Sequence, residues 1–440
     1  MSCFLTTQHG FAQDLLTPEE RLFGLSKLWQ EVNYNFAYFD QVPTLDWDAL
    51  YLNTIPKVQA VQSDRDYYRV LDAFIAKLED GHTNIYYPDH IQAQFSYPMI
   101  EVQPLDQAYI VTNVCKRWAK KIPLGSKVVE VNSKPVDEFL ETEVFPFIAS
   151  STEHGKLNRS LEFLFWGPKD EAITATFETS DQKLVTKTLS RDLNDYSTWL
   201  IEKEIPEDFE HKVLDNGIHY IVFNTFRDQA VVQAFNEHLN VLTEAKALVI
   251  DLRDNGGGLS TMGLEVAKHL VAEDVVVDTK WKSRSHIASH KAWGTSELQL
   301  MGYNPVKELE TFGNMDAWIY VEADTLNIAK DVVKLNMPTV ILTSDKTASA
   351  AEDFLVFLDG QDHITTMGST TFGSTGQPIY FSLPGGGFAR VCAKRDMYPD
   401  GREFVGIGIQ PEIALTKTTA TALSPEDEWL DAAIALLNRQ

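Results

Sequence analysis

Ser349 lies in the stretch of sequence best suited to chemistry. It stands between a short apolar run, residues 339–342, which predicts a buried strand, and a helical stripe that begins at Phe354. A serine at such a junction presents its hydroxyl at a sheet edge, and the free N–H groups of the helix N-terminus favour a developing negative charge. This suits an acyl-transfer nucleophile. Serine is also a favoured helix cap, so this stretch alone leaves both interpretations open.

A second stretch, residues 247–258, is an apolar strand that runs into three consecutive glycines. A plain strand-to-helix turn usually needs only one glycine. Three of them let a backbone approach a ligand closely and direct N–H groups at it, which is what an oxyanion hole requires. We therefore predict an oxyanion hole formed by Gly257, Gly258 and Ala350, the last because it follows the nucleophile.

Both stretches together resemble the S41 family of serine peptidases, which includes the C-terminal processing and tricorn-type proteases. In that family a strand ending in Asp-Leu-Arg-x-Asn-x-Gly-Gly precedes a Ser-Ala-x-Glu turn. Residues 251–258 and 349–352 carry these patterns in that order, and the resemblance covers most of the chain after residue 17. It implies a serine peptidase that cuts unfolded or C-terminal peptide segments through an acyl-enzyme, with no cofactor.

The resemblance also implies a general base. The helix predicted over residues 63–78 ends at Gly81, and His82 follows within Asp-Gly-His-Thr. A lone histidine after a helix is commonly a surface or capping residue. Many members of the tricorn-like branch, however, carry this motif and use its histidine as the base, a task that suits its near-neutral pKa. The Ser–Lys dyad of the other branch cannot operate in that form, because Ser374 stands at the lysine position. Lys346 is a less suitable substitute.

Glu403 is the residue expected to support His82. The tricorn branch places a serine and a glutamate behind the histidine, but Gly81 replaces that serine, and the glutamate register falls on Val405. Glu403 lies two residues earlier and would face the same way in a strand. It is therefore expected either to reach His82 or to face solvent.

The loop that follows the nucleophile helix is rich in glycine and is expected to contact the substrate. Within residues 371–378, the predicted substrate-binding residues are Gly373, Ser374 and Thr375. A hairpin with a glycine turn is expected around residues 384–387.

The sequence predicts an α/β multidomain protein. Residues 125–136 are similar to the core of a PDZ domain, but the usual carboxylate-binding loop is not evident, so a peptide tether and a packing module both stay open. A long loop is expected over residues 278–314 and a helix over residues 324–335. The expected parts are a tail or export-signal remnant (1–16), a helical domain (17–95), a PDZ-like β domain (96–195) and a crotonase-like, βαβ-rich S41 core (196–440).

Composition excludes several function classes. The 440 residues carry 38 Lys and Arg against 63 Asp and Glu, a formal net charge of −25, which argues against nucleic-acid or anionic-membrane partners. No apolar run approaches the length of a membrane span. Three widely spaced cysteines fit neither a disulfide framework nor a zinc site. His286 and His290 have helical spacing but lack the glutamate of a zinc-peptidase helix, so no metal is expected.

The expected partner is a peptide or unfolded protein, and the sequence does not specify an oligomeric state. Residues 11–14 resemble the end of a signal peptide, and a periplasmic or secreted location is therefore expected. The basic and apolar regions of a signal peptide are not evident before them, so a cytoplasmic location is the alternative. Two other functions stay open. The chain could bind a peptide or ligand without cleaving it, or it could be an esterase that uses the same serine.

Overall fold

The computed structural model describes residues 15–192, 198–203 and 205–439. Residues 11–14, which suggested an export signal, lie outside the described residues. None of the helices in these ranges is long and apolar enough to cross a membrane. The chain is a mixed α/β multidomain protein with a helical N-terminal region, a mainly antiparallel β region and an α/β core, as the sequence predicted.

The N-terminal region is built from amphipathic helices. Its first helix starts with a capping box, in which Thr17 Oγ1 accepts from the Glu20 amide and the Glu20 carboxylate accepts from the Thr17 amide. The apolar helix faces pack together and against Ala389 and Val391 of the core region. The elements are α1 (Pro18–Asn35), α2 (Trp47–Ala60), α3 (Asp64–Ile75), β1 (Asn84–Tyr86), α4 (Asp89–Gln92) and β2 (Phe95–Ser96).

The middle region forms an antiparallel sheet with its own apolar core. The sheet order is β3-β4-β5-β8-β9, with β6 paired to β5. Its likeness to a PDZ domain stays a prediction. The elements are β3 (Ile100–Leu105), β4 (Ala108–Val114), β5 (Lys127–Val131), β6 (Lys134–Pro135), α5 (Val136–Phe139), α6 (Glu153–Glu162), β7 (Gly167–Pro168), β8 (Ile173–Glu178) and β9 (Leu184–Leu189).

The core region contains the remaining elements. They are β10 (Phe209–Val213), β11 (Ile218–Phe223), α7 (Gln229–Leu242), β12 (Ala247–Asp251), α8 (Ser260–Leu270), β13 (Val275–Val277), β14 (Lys280–Arg284), α9 (Ala288–Gly294), α10 (Glu310–Gly313), β15 (Trp318–Val321), β16 (Thr325–Asn327), β17 (Thr339–Thr343), α11 (Ala350–Phe357), β18 (Ile364–Gly368), β19 (Pro378–Ser382), β20 (Phe388–Cys392), β21 (Lys394–Met397), β22 (Ile413–Ala414), α12 (Thr419–Leu423) and α13 (Glu428–Leu437).

The central sheet of the core has the order β10-β11-β12-β17-β18-β22 and is parallel from β11 to β22. β12 and β17 are buried along their whole length, because α7, α8 and α11 cover one face of the sheet and α13 covers the other. The predicted βαβ rhythm is therefore confirmed. Since the carboxyl ends of parallel strands meet at one edge, the glycine loop after β12 and the Ser349 turn after β17 lie side by side.

Two local predictions are wrong. Residues 278–314 are not a continuous loop, because β14 pairs with both β15 and β21. Residues 324–335 are not a helix, because Thr325–Asn327 forms β16 and pairs with β13. In both cases a pairing partner distant in sequence decides the backbone conformation, which local periodicity does not reveal.

Candidate active site

Ser349 has a strained backbone at the turn between β17 and α11. Its φ of 57° and ψ of −126° lie outside the regions that non-glycine residues ordinarily adopt. Its amide donates to the carbonyl of Ser374 at 3.0 Å and to a carboxylate oxygen of Glu352 at 3.1 Å. Gly257 packs so closely that a Cβ there would lie 2.6 Å from Ser349 Cβ. These contacts hold the strained conformation, which is typical of functional sites.

A buried carboxylate positions the turn that carries His82. Asp80 accepts a hydrogen bond from Thr83 Oγ1 at 2.6 Å and another from Ser151 Oγ at 3.3 Å. The Gly81 amide donates to the same Ser151 hydroxyl at 2.9 Å. His82 itself is only 8% exposed. The middle region therefore helps to fix the histidine, through Ser151.

The structure brings His82 and Ser349 into contact, although they are 267 residues apart in sequence. The Nε2 atom of His82 lies 3.2 Å from the hydroxyl oxygen of Ser349. The Nδ1 atom lies 2.6 Å from the hydroxyl oxygen of Ser374. The two serine hydroxyls and the imidazole between them thus form a continuous row, the arrangement that an activated serine requires.

Ser374 occupies space that Gly81 leaves open. A Cβ at position 81 would lie 2.9 Å from the Ser374 hydroxyl oxygen and 2.6 Å from the ring of Phe372. The predicted contact of Ser374 with substrate stays a prediction. Its side chain contacts His82, which the local pattern did not indicate because the two residues are 292 positions apart in sequence.

Glu352 stabilises the site through several hydrogen bonds, a role that the sequence analysis did not predict. Its carboxylate is fully buried and accepts from the amides of Ser349, Gly373 and Ser374 and from the hydroxyl of Thr371. Burial raises its pKa to about 7. The sequence did carry a signal for this role, because Glu352 is the last residue of the Ser-Ala-x-Glu pattern.

The imidazole of His82 is neutral in this environment. Burial, and to a smaller extent the positive charge of Arg390, lower its pKa to about 3. At neutral pH the imidazole therefore carries one proton and can accept another. For Nε2 to accept from Ser349, the single proton must lie on Nδ1 and be donated to Ser374 Oγ.

The predicted oxyanion residues are arranged unequally around Ser349. Gly257 packs against Ser349, but its amide donates to the side-chain oxygen of Asn255 at 2.9 Å. The Ala350 amide has no hydrogen-bond acceptor among the described residues. Gly258 lies one residue farther on, against the backbone of Phe226.

The structure does not bring Glu403 to His82, which corrects that expectation. The Glu403 carboxylate lies 2.5 Å from the guanidinium of Arg395, and this guanidinium also binds Asp40. A half-exposed carboxylate beside a buried arginine is held there by their opposite charges. The alternative base, Lys346, also forms an ion pair, because its ammonium lies 2.9 Å from the Asp254 carboxylate.

Gly373 and Thr375 make scaffold contacts. The amide of Gly373 donates to Glu352 at 2.8 Å, and the hydroxyl of Thr375 donates to Asp353 at 3.2 Å. Their predicted contact with substrate stays a prediction.

The core of the chain matches a known family. Residues 217–415 match the model described as peptidase family S41. This range is less than half of the chain, so the match shows that the core region is similar to S41 peptidases. The similarity supports a serine peptidase, whose expected substrate class is peptides. The matched range includes the glycine loop, Ser349 and Ser374, whereas His82 precedes it.

Solved structures resemble this chain over nearly its whole length. Mature CPAF complexed with lactacystin is 14% identical, with a TM-score of 0.72, and the match covers 96% of this chain and 99% of that one. Mature CPAF is also 14% identical, with a TM-score of 0.70 over 96% of this chain and 98% of that one. At this level of identity the likeness shows a shared fold.

Buried carboxyl groups in this chain predict that its stability falls as pH rises. Burial raises the pKa of Glu352, and burial together with Asp396 raises the pKa of Asp353, so the folded chain keeps protons that the unfolded chain releases. His82 has the opposite effect, but only below its ordinary pKa of 6.5. We expect a lower Tm at about pH 8 than at about pH 6.5 by calorimetry.

The variant Asp353→Asn is the control for this pH dependence. It removes one of the titrating groups and should make the decline of Tm with pH less steep. An unchanged slope would mean that these carboxyl groups do not govern the pH dependence.

Proposed function

We propose that the chain hydrolyses peptide bonds of unfolded or C-terminal peptide segments, with Ser349 as nucleophile and His82 as general base. The observation that carries this proposal is the 3.2 Å contact between His82 Nε2 and the Ser349 hydroxyl. That distance is at the upper end of the range for proton transfer in a substrate-free site. The strained turn and the buried neutral imidazole support the same assignment.

The reaction proceeds in two stages. His82 takes the Ser349 proton as the hydroxyl attacks the substrate carbonyl, and the tetrahedral oxyanion accepts hydrogen bonds from the Ala350 and Gly257 amides. His82 then donates the proton to the leaving amine, which leaves an acyl-enzyme. Water, activated by the same histidine, releases the second product. For Gly257 to take part, its amide must exchange Asn255 for the substrate oxygen.

Ser374 acts as the positioning residue for the base. Serine proteases commonly place a carboxylate at this point, which orients the imidazole and stabilises the imidazolium. Here a neutral hydroxyl supplies the orientation alone. Because the Nδ1–H donates to this hydroxyl, the productive tautomer depends on Ser374 keeping an acceptor lone pair toward the ring.

Replacing Ser374 with alanine should therefore impair catalysis more than substrate binding. With no acceptor at Nδ1, His82 loses its fixed tautomer, and we expect kcat to fall by about 10–100-fold with KM nearly unchanged. Steady-state kinetics on one peptide measures both constants. Ser180→Ala, at an exposed turn of the middle region, is the matched control and should have no effect. A full loss of folded protein, or a change confined to KM, would contradict the positioning role.

The function itself is tested with a pool of unstructured peptides analysed by mass spectrometry. The wild type should cut the pool and Ser349→Ala should not. Cleavage of small esters without any peptide cleavage would support the esterase alternative. Inactivity of the wild type on both substrates would contradict the proposal.

A further inference from the structure

One face of a small sheet beside His82 combines aromatic rings with an arginine. β1 begins two residues after His82 and pairs with β20, which pairs in turn with β19. Residues opposite each other in an antiparallel sheet share a face, so Asn84 and Tyr86 share one with Arg390 and Phe388. The rings of Tyr86 and Phe388 stack, with centroids 4.4 Å apart and an interplanar angle of 8°.

This face is open to solvent, whereas the opposite face is buried. Tyr380 on β19 lies on the open face and is 60% exposed, and Phe388 is 39% exposed. The other face carries Ile85, Ala389 and Phe381, which pack into the N-terminal core. The rings are therefore accessible without any rearrangement of the sheet.

Arg390 has hydrogen-bonding capacity that the described residues do not use. Its Nε donates to the side-chain oxygen of Asn84 at 2.8 Å, and one terminal nitrogen donates to the carbonyl of Gly81 at 3.4 Å. A guanidinium has five N–H donors. Arg390 forms none of the salt bridges among the described residues, although its positive charge lowers the pKa of the buried Asp80 carboxyl, an effect smaller than that of burial.

The chemistry places the leaving segment of the substrate on this side. His82 must donate its proton to the leaving amine, so the segment C-terminal to the cut bond passes next to His82. Asn84 follows His82 by two residues in the chain, and it binds Arg390, which shares the open face with the stacked rings. This step rests on the proposed function.

We propose that Arg390 binds a carboxylate of the leaving segment, while an apolar or aromatic side chain of that segment packs on Tyr86 and Phe388. The carboxylate is either the C-terminus of the substrate or an Asp or Glu side chain close to the cut bond. Both present the same planar oxygen pair, which a guanidinium binds in a bidentate manner.

Such a carboxylate would also assist the base. The positive charge of Arg390 disfavours the imidazolium of His82, which forms transiently during attack. A carboxylate bound to Arg390 offsets that charge. Substrates with the carboxylate should therefore gain in kcat as well as in binding.

The experiment compares four versions of one cleaved peptide, two with a free or an amidated C-terminus and two with glutamate or glutamine in the leaving segment. Binding is measured by fluorescence anisotropy on the Ser349→Ala protein, and turnover on the Ser349 protein. We expect the carboxylate-bearing member of at least one pair to bind about tenfold more tightly than its neutral partner. The pair that discriminates identifies the source of the carboxylate.

Arg390→Gln should abolish this discrimination, and Arg390→Lys should retain part of it. Arg402→Gln is the control, since Arg402 pairs with Asp359 and Asp400 away from His82. Equal affinity for all four peptides, or binding of none of them, would overturn the carboxylate site. Absence of cleavage with carboxylate discrimination intact would instead contradict the proposed function. If Arg390→Gln fails to fold, the four peptides on the otherwise unchanged protein still decide the question.

Discussion

Replacing Ser349 with alanine is expected to reduce kcat by about 10⁵–10⁶-fold, and replacing His82 with alanine should cause a similar loss. The two side chains act as one unit, because the histidine has a catalytic task only while the serine hydroxyl lies 3.2 Å from it. The double variant should therefore be about as inactive as either single variant. Turnover of one fluorogenic peptide measures all three proteins.

The controls for this prediction address folding and the alternative base. Circular dichroism and thermal melting should show that Ser349→Ala stays folded, since its backbone contacts with Ser374 and Glu352 do not involve the hydroxyl. Substantial activity in His82→Ala would contradict the dyad and return attention to Lys346. Lys346→Ala should be nearly as active as wild type, because its ammonium pairs with Asp254.

Glu352 should be the position at which a single substitution damages both stability and activity. Glu352→Ala leaves the amides of Gly373 and Ser374 without their buried acceptor and removes one of the two acceptors of the Ser349 amide. It also opens a cavity next to Ser349. We expect a loss of about 3–5 kcal/mol in the free energy of unfolding and a fall in kcat of at least about 100-fold. Chemical denaturation and steady-state kinetics measure the two effects.

Glu352→Gln separates the two roles of this residue. The glutamine keeps one acceptor oxygen but replaces the other with a donor. That donor would face either two backbone N–H groups or one backbone N–H group and the Thr371 hydroxyl. It should therefore retain more stability than alanine while still displacing the Ser349 amide or the loop at Ser374. Normal kcat in Glu352→Gln would show that this carboxylate does not position the nucleophile. Glu403→Gln is the comparison variant and should leave kcat unchanged, because Glu403 lies at Arg395.

Much of the fold could be predicted because its signals are local. The apolar runs of β12 and β17, the amphipathic helix α7 and the glycine turn between β19 and β20 each carry a periodicity or turn pattern within a few residues. β14 and β16 could not be predicted in this way, because pairing with partners distant in the chain decides their conformation.

The candidate site also combines residues that local motifs predict with contacts between residues distant in sequence. Ser349 and the glycine loop could be predicted because each belongs to a motif of consecutive residues. The contact between His82 and Ser374 depends on a loop that Glu352 holds in place and on the space left at Gly81. No spacing within the local sequence could therefore predict this contact. For Glu403 the sequence left open a position near His82 or one that faces solvent. Its ion pair with Arg395 could not be predicted from residue spacing.

The central claim is that His82 activates Ser349, and covalent labelling tests it most directly. A serine-directed fluorophosphonate is incubated with the wild type and with His82→Ala, and the labelled residue and its rate are determined by mass spectrometry. The wild type should be labelled on Ser349, and His82→Ala should react at least about 1,000-fold more slowly because the hydroxyl then lacks its base. Labelling at another residue, or equal rates in the two proteins, would contradict the claim.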